Sequence, residues 1–272
     1  GSGKAKTSAG QHRGMGTIFG EWHRAGDPLV LPNAWDVASA VALAAAGFAA
    51  VGTTSLGVAA RYGMADASRA IAEPVRRLAH RLRRLPCPVS VDIADGFADE
   101  PEAVAEYAAS LGVDGVNIED STAGRLVPVE VHASKIAAVK ERCPGLFVNA
   151  RVDTFWVGQD ATVTATIDRA VRYVEAGADG VFVPGRLDGA QIRQITSAVP
   201  VPVNVLASSD FSVAELARLG VRRVSCGSLL YRAALDRAVE VAVGLRDGSP
   251  APPATSYGDV QELATRYRPV CG

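Results

Sequence analysis

Three charged residues lie inside apolar runs of this 272-residue chain, where an isolated charge is costly. Asp92 ends the run SVD, Glu119 ends GVNIE and Arg151 ends VNAR. Each run has the length and β-branched content of a buried strand. Because a buried charge needs a partner or a ligand, we expect these three side chains to belong to a functional site.

The residue types at these strand ends indicate a particular chemistry. Carboxylates are hard oxygen ligands that suit Mg²⁺, with Mn²⁺ as an alternative. An arginine beside them binds a substrate carboxylate or phosphate through two hydrogen bonds. Together they predict metal-assisted handling of a 2-oxo acid, in which the cation stabilises negative charge on an enolate oxygen.

Residue types that are missing from the predicted strand ends exclude other mechanisms. The four lysines are Lys4, Lys6, Lys135 and Lys140, and the last two fall in one predicted helix. A Schiff-base mechanism is therefore not expected. The four histidines also fall outside the strand ends, which argues against a histidine triad or a zinc site.

Composition predicts an ordinary cytoplasmic globular protein. The net charge is -1, and the basic residues are scattered, so neither nucleic acid nor a membrane surface is an expected partner. No apolar run approaches the ~20 residues that cross a bilayer. The four cysteines form no CxxC pair and show no metal-ligand spacing.

The elements that must position these residues alternate along the chain. The predicted strands are 29–31, 49–53, 89–93, 115–119, 147–152, 180–183, 202–206 and 223–225. The predicted helices lie near 36–47, 67–83, 100–111, 129–142, 160–176, 188–197, 212–219 and 228–245. Eight such units predict an α/β fold of the (β/α)8 TIM-barrel type. A doubly wound open sheet is the alternative, although no Gly-rich turn follows the first strand.

The barrel is expected to span residues 17–246. Residues 1–16 have no apolar segment and are expected to be a disordered leader or a remnant of expression. Residues 247–272 are expected to be a linker and a C-terminal helix near 258–268. That helix either packs on the barrel or is exchanged with a partner subunit.

Catalytic groups of this fold project from the C-terminal ends of the strands, so the remaining strand ends extend the predicted site. The first strand ends near Trp35 and Asp36, the second near Thr54 and Ser55, and the seventh contributes Asn204. Asp36 is explained equally well as a helix cap. Trp35 is predicted to contact substrate.

These residues occur in motifs that together resemble the isocitrate lyase/phosphoenolpyruvate mutase superfamily. The motifs are VLPNAWDVASA (30–40), GFAAVGTTSLG (47–57), VSVDIADGF (89–97), GVNIEDS (115–121), VNARVDTF (148–155), GADGVFVPG (177–185), VPVNVL (201–206) and LGVRRVSCGS (219–228). The resemblance implies a (β/α)8 barrel, often a tetramer with its last helix swapped between subunits. It also implies Mg²⁺-dependent making or breaking of a C–C or P–C bond beside a 2-oxo acid.

The resemblance also implies a role for each matching residue. Asp92 would hold the metal directly or through water and Glu119 would join it, whereas Asp66 matches an aspartate near the metal. The substrate-binding positions that match the superfamily are Thr54, Ser55, Leu56, Arg151 and Asn204. Arg151, Asp66 and Glu119 are the predicted catalytic residues.

Two departures from the superfamily pattern bear on the reaction. Many members carry a D-x-D pair at the end of the third strand, and here Ala94 stands in the second position. Asp95 is expected to point to the other face of a regular strand. The loop after the fourth strand, EDSTAGRLVPVEVH, lacks the Cys of the lyases and the Lys of the mutases.

The leading prediction is a Mg²⁺-dependent carbon–carbon lyase or decarboxylase acting on a small 2-oxo or 2-hydroxy dicarboxylate through an enolate. One alternative is a phosphoenolpyruvate or phosphonopyruvate mutase or hydrolase. A second is a barrel that binds a 2-oxo acid without turnover, and a third is a different phosphate-binding barrel that uses SCGSLLY (225–231). The expected partners are a small carboxylate substrate and further copies of the chain, as a dimer or tetramer.

Overall fold

The computed structural model describes residues 19–66 and 68–267. The predicted leader, 1–16, and the last residue of the predicted tail helix, 268, lie outside the described residues. The expectation of a (β/α)8 barrel is confirmed by the parallel strands and alternating helices of this structure.

A nine-stranded parallel sheet closes on itself around the barrel axis, in the order β1-β11-β10-β9-β8-β5-β4-β3-β2. Its strands are β1 (Leu29–Leu31), β2 (Asn33–Ala34), β3 (Val51–Thr53), β4 (Val89–Asp92), β5 (Gly115–Glu119), β8 (Phe147–Arg151), β9 (Gly180–Phe182), β10 (Val203–Leu206) and β11 (Arg223–Ser225). Pro32 separates β1 from β2, because proline has no N–H to donate to a ladder. β1 pairs with β11 and β2 with β3, so the two halves of this first strand join the ends of the sheet.

The helices cover the outside of the sheet and connect successive strands. They are α1 (Val37–Ala45), α2 (Ser55–Arg61), α3 (Ala72–Leu82), α4 (Pro101–Leu111), α5 (Val129–Arg142), α6 (Thr154–Val157), α7 (Val163–Glu175), α8 (Gly189–Ala198), α9 (Val213–Arg218), α10 (Leu229–Arg246) and α11 (Tyr257–Arg266). A 3₁₀ turn, Arg69–Ile71, precedes α3. Asp36 caps α1, since its carboxylate accepts the Ser39 N–H at 2.7 Å and the Ser39 hydroxyl accepts the Asp36 N–H.

Two apolar clusters hold the barrel together. The larger one lies between the sheet and its helices and includes Val91, Ile118 and Val148. The smaller one joins Phe19, Phe147 and three other residues at the N-terminal ends of the strands. The strands therefore project their C-terminal ends, with their polar side chains, away from a closed apolar base.

Two helices near the C-terminus differ in how they contact the barrel. None of the 18 residues of α10 is buried, and five large apolar side chains of this helix are exposed. α11 lies against α1 of the same chain, and the Tyr267 hydroxyl donates to the Arg81 carbonyl. Within the described residues, no helix is long and apolar enough to cross a bilayer.

Several short elements were absent from the sequence-based prediction. α2 begins directly after β3, and α6 begins within three residues of β8. A small antiparallel hairpin, β6 (Ser121–Thr122) with β7 (Arg125–Leu126), occupies the connection after β5. All three lie at the C-terminal end of the barrel, where they shape the surroundings of the predicted site.

Candidate active site

A cavity of about 220 Å³ opens at the C-terminal ends of the strands. Six of the residues predicted to act in catalysis, substrate binding or metal binding line it: Thr54, Ser55, Leu56, Asp66, Asp92 and Arg151. The structure thus brings together side chains that are up to 97 positions apart, between Thr54 and Arg151, in one concave surface.

The Arg151 guanidinium is held between two carboxylates. Glu119 and Arg151 are direct neighbours in the β5–β8 ladder, and Arg151 Nη1 lies 2.8 Å from Glu119 Oε2. Arg151 Nε lies 2.5 Å from Asp153 Oδ1, and Asp153 Oδ2 accepts the Ser121 hydroxyl at 2.5 Å. The Trp156 ring covers the guanidinium at 5.4 Å. These contacts fix the orientation of the cation at the cavity wall.

The acids of the site outnumber its cation. Burial raises the pKa of Glu119 to about 8, and the charges of Asp153, Asp92 and Asp66 add to this rise against the opposing effect of Arg151. Burial likewise raises the pKa of Asp92. Burial opposes the charged form of Arg151, but the neighbouring carboxylates raise its pKa overall. The cluster therefore contains more acids than Arg151 alone can keep ionised, and a further cation would favour their charged forms.

Asp92 is fixed from both sides by backbone groups. Its Oδ1 accepts the Ala94 N–H at 3.2 Å and its Oδ2 accepts the Ser55 N–H at 3.4 Å. The Asp92 N–H in turn donates to Thr53 Oγ1 at 3.0 Å. Thr54 caps α2, so the segment after β3 turns into a helix directly beside the Asp92 carboxylate.

Ala94 takes a left-handed backbone conformation, with φ at 47°. This conformation is unfavourable for a residue with a Cβ, and aspartate and asparagine tolerate it better than alanine does. Ala94 is buried and does not line the cavity. The position at which the resemblance implies a second aspartate thus has a backbone conformation that aspartate tolerates better than alanine.

Asp95 does not take the place of the missing acid. Its Oδ2 accepts from Arg69 Nη2 at 3.0 Å and from the Thr122 hydroxyl at 2.9 Å, and it does not line the cavity. Lys135 reaches the same rim, where Nζ donates to the Asp95 carbonyl at 2.9 Å. Burial lowers the pKa of this lysine, which is also absent from the cavity lining.

The β6–β7 hairpin is attached to the barrel by hydrogen bonds at each end. Ser121 bonds Asp153, Thr122 bonds Asp95, and the Leu126 N–H donates to Gln159 Oε1 at 3.0 Å. The connection after β5 is therefore a short turn that these hydrogen bonds hold to the barrel. It contains neither cysteine nor lysine.

Two predicted substrate-binding residues lie outside the cavity lining. The Trp35 ring packs against Tyr231, with 5.4 Å between ring centroids, and lines a separate groove beside α1, α2 and α3. Asn204 lies beneath the cavity, where its Nδ2 donates to Ser225 Oγ at 2.9 Å. Their roles in substrate binding stay predictions.

Other cavity residues were not selected from the sequence. Asn117 precedes Glu119 by two positions in β5, so period-2 alternation could have placed both on the inner face. Ser225 ends β11 and Cys226 follows it, and the small side chains at this strand end gave no reason to assign either a role. Trp156 lies in α6, a four-residue helix with no sequence signal long enough to detect.

The residues present fit a magnesium ion bound through few protein ligands. Asp92 and Glu119 are desolvated carboxylates with raised pKa values, and Asp66 acts on both electrostatically. Over the part of the chain that the structure describes, no group of three or more His, Cys, Asp or Glu side chains is arranged to enclose a metal. Mg²⁺ characteristically uses one or two carboxylates and completes its shell with water and substrate oxygens.

Comparison with known sequences shows relatives of two kinds. An uncharacterized protein of Mycobacterium tuberculosis is 48% identical over 249 residues, which cover 92% of this chain and 96% of that protein. A 2-methylisocitrate lyase of Bacillus subtilis is 31% identical over 65% of this chain and 62% of its own length. An oxaloacetate decarboxylase of Pseudomonas aeruginosa is 32% identical over 57% of each chain.

Solved structures share the fold over nearly the whole chain. The crystal structure of a lyase/mutase candidate from Burkholderia cenocepacia matches with a TM-score of 0.83 and 33% identity, covering 92% of this chain and 95% of that one. A phosphonopyruvate hydrolase in complex with oxalate and Mg²⁺ matches with a TM-score of 0.79 and 24% identity, covering 92% and 95%. The second likeness shows the fold alone.

The family model described as phosphoenolpyruvate phosphomutase matches residues 19–246, which span the barrel from its base to the end of α10. Sequence relatives of this chain include a 2-methylisocitrate lyase and an oxaloacetate decarboxylase, both named as enzymes. The chain therefore belongs to the phosphoenolpyruvate mutase/isocitrate lyase superfamily.

Proposed function

We propose that the protein is a Mg²⁺-dependent carbon–carbon lyase that acts on a small 2-oxo or 2-hydroxy dicarboxylate. Decarboxylation of an oxaloacetate-like acid is the reaction that its residues support best. The observation that carries this proposal is that Arg151 and Asp92 line one cavity while Glu119, outside the cavity lining, is paired with Arg151 at its wall, with more buried carboxylates than cations.

The proposed roles follow from the position of each group. Arg151 binds a substrate carboxylate, because its planar guanidinium is fixed at the cavity wall. Thr54 and Ser55 offer hydroxyl and backbone groups at the start of α2. Asp92 and Glu119 would hold Mg²⁺, which supplies positive charge for an enolate oxygen. Asp66, exposed at the cavity wall, is placed to exchange a proton with substrate.

The fixed hairpin after β5 supports a reaction that needs few acid–base groups. In decarboxylation, the bond to the departing carboxylate breaks and CO₂ leaves with no proton removed beforehand. The electron pair becomes the enolate of the remaining 2-oxo acid, which then takes one proton at carbon. Cleavage of a 2-hydroxy acid also requires a base at the hydroxyl, and Asp66 is the residue proposed for it.

The comparisons support the substrate class without assigning it. Relatives at 31% and 32% identity are a 2-methylisocitrate lyase and an oxaloacetate decarboxylase, and both names describe acids with a carboxylate close to the bond broken. The phosphonopyruvate hydrolase of the same fold was solved with oxalate and Mg²⁺. Oxalate resembles the planar enolate of pyruvate in shape and charge.

A second candidate is turnover of a phosphonate or phosphoenolpyruvate. One observation favours it: the N-terminus of α10, an 18-residue helix, meets the cavity at Ser228 and Leu229. Arg232 lines the same wall and donates to the Ser228 hydroxyl at 3.2 Å. Helix N-termini with a nearby arginine bind phosphoryl groups.

The test is NMR of the purified protein with oxaloacetate, methylisocitrate, dimethylmalate, phosphonopyruvate and phosphoenolpyruvate, each with Mg²⁺ and again with EDTA. We expect EDTA-sensitive loss of a carbon–carbon substrate, abolished in Arg151→Met. The matched control is Arg186→Met, because Arg186 is 87% exposed at the same end of the barrel. Turnover of a phosphonate alone would favour the second candidate. No turnover in the panel would leave an acid-binding barrel as the better explanation.

We also propose that the protein forms a homo-oligomer through α10. A helix whose 18 residues are all at least partly exposed, with Leu235 and Val239 among its exposed apolar side chains, gains most from covering by a second copy. Light scattering coupled to size exclusion should show a dimer or tetramer, and Val239→Lys should shift it toward the monomer. Asp236→Lys on the same helix is the control, because it removes no apolar surface.

A further inference from the structure

A fully buried arginine lies beneath the cavity without an acidic partner. Arg223 is at the N-terminal end of β11, and its exposed fraction is zero. Among the described residues, no carboxylate lies within ion-pair distance of it, and its Nη1 has no hydrogen-bond partner. Burial lowers the pKa of Arg223 to about 9, which still leaves it charged at neutral pH. Arginine is almost never buried without an anion, so this charge requires a reason.

The Arg223 side chain reaches the layer of residues directly under the cavity. Nη2 donates to Asn117 Oδ1 at 3.2 Å and to Ser90 Oγ at 3.4 Å, and Nε approaches Ser225 Oγ at 3.4 Å. Asn117 and Ser225 both line the cavity. Because a guanidinium can only donate, each of these oxygens must act as an acceptor toward it.

The oxygens of Asn117 and Ser225 each accept a second hydrogen bond from within the barrel. Asn117 Oδ1 also accepts from Asn149 Nδ2 at 2.9 Å, and Ser225 Oγ also accepts from Asn204 Nδ2 at 2.9 Å. The acceptor positions of both floor residues are therefore used from below. The side-chain Nδ2–H groups of Asn117 and the Ser225 O–H find no acceptor among the described residues. They are left as donors at the cavity floor.

We propose that Arg223 is a positioning residue that makes the cavity floor a binding surface for an anionic oxygen. It orients Asn117 and Ser225 so that they present N–H and O–H groups to a carboxylate or enolate oxygen. Its own charge, which contacts the Phe19 ring at 5.9 Å but no carboxylate of the described residues, adds attraction for that anion across a single layer of side chains. The inference rests on the proposed function only in that the cavity binds an organic acid.

This arrangement favours binding at the expense of folding. A buried charge without a partner destabilises the fold, and the orphan Oδ1 of Asn204 adds a second unsatisfied polar atom in the same layer. The nearby His23 does not offset the charge, because burial and Arg223 together lower its pKa to about 3. If the role of Arg223 were structural, removing its charge would destabilise the protein. If its role is anion binding, removal should do the opposite.

The experiment measures oxalate binding by calorimetry in Mg²⁺ and the melting temperature of the metal-free protein. We expect Arg223→Met to weaken oxalate binding at least tenfold and to raise the melting temperature. Arg223→Lys, which keeps charge and donors, should recover part of the affinity. Asn117→Asp should likewise raise the melting temperature, because it places a carboxylate 3.2 Å from Nη2, and it should abolish oxalate binding.

Arg186→Met is the control for loss of one positive charge at this end of the barrel and should leave both readouts unchanged. Oxalate affinity within twofold of wild type in Arg223→Met would overturn the proposal, as would wild-type protein that binds no oxalate. A lower melting temperature in both Arg223→Met and Asn117→Asp would show a structural role instead. Because binding is measured without turnover, failure of the reaction panel leaves this test intact.

Discussion

Replacing Arg151 with methionine should cost the fold more free energy as the pH rises. The guanidinium, 14% exposed, lies 2.8 Å from Glu119 Oε2 and 2.5 Å from Asp153 Oδ1. Removing one partner of a buried ion pair costs about 3–5 kcal/mol. Glu119 has a pKa of about 8, so the full loss is expected at pH 9, where the Glu119 carboxylate is charged.

At pH 6 the same substitution should cost less, because Glu119 keeps its proton and only Asp153 loses its cation. The sign follows from linkage: the folded protein binds the Glu119 proton more tightly than the unfolded chain does, where the pKa is 4.5. Wild-type stability therefore falls as the pH rises from about 4.5 to about 8. At about 1.4 kcal/mol per pH unit, this contribution is on the order of 5 kcal/mol.

Urea unfolding in EDTA at pH 6 and pH 9 measures the effect. Total stabilities of single domains are about 5–15 kcal/mol, so a loss of this size is readily resolved. Glu119→Gln in the Arg151→Met background should recover part of the loss at pH 9. Arg186→Met should leave the free energy of unfolding unchanged, because Arg186 is exposed and only its Nε lies near an acid, 3.4 Å from Asp210 Oδ2. An equal loss at both pH values, or one below about 1 kcal/mol at pH 9, would refute the assignment of a buried charge cluster.

Three further predictions concern other parts of the molecule. Ala94→Gly should raise the free energy of unfolding by about 1 kcal/mol in urea titrations, because glycine accepts the positive φ without strain; an unchanged value would argue against strain at this turn. His132 is buried, and burial with the charges of Lys135 and Arg169 lowers its pKa to about 3. Stability should therefore fall as the pH falls from 6.5 toward 3, and His132→Phe should show a shallower fall in thermal melts. Mg²⁺ at 100 times its Kd should stabilise the protein by about 2.7 kcal/mol, and Asp92→Asn should remove most of that gain; equal stabilisation of the variant would place the metal elsewhere.

The central acids and the arginine could be predicted because each is a charge in an apolar strand. Glu119 and Arg151 end their strands at the same ladder level, and strand ends meet in a barrel, so position along the sequence was enough to bring them together. Asp92 followed from the same signal. Side chains two positions apart in a strand share a face, so the sequence could also have placed Asn117 on the same inner face as Glu119.

Other parts of the site depend on tertiary contacts that local sequence does not encode. Trp35 follows a strand that Pro32 interrupts and precedes a helix that begins at Val37, so its side chain packs on Tyr231 and not in the cavity. The β6–β7 hairpin has strands of two residues, too short for any periodicity. Arg222 and Arg223 are adjacent in the sequence, so local pattern does not show which of them enters the barrel. The structure shows that Ser225 points inward, and Arg223, two residues before it, lies on the same face of the strand.

The attachment of the β6–β7 hairpin has a stereochemical consequence. A turn that is held to Asp153, Asp95 and Gln159 does not close over the cavity, and the Trp156 ring beside it is 56% exposed. Under the proposed function, bulk water would then reach an enolate in the cavity, and a proton would arrive at either face of the carbon. For the enolate of pyruvate both faces give the same methyl group, so the proposed decarboxylation would lose no product identity if solvent supplied the proton.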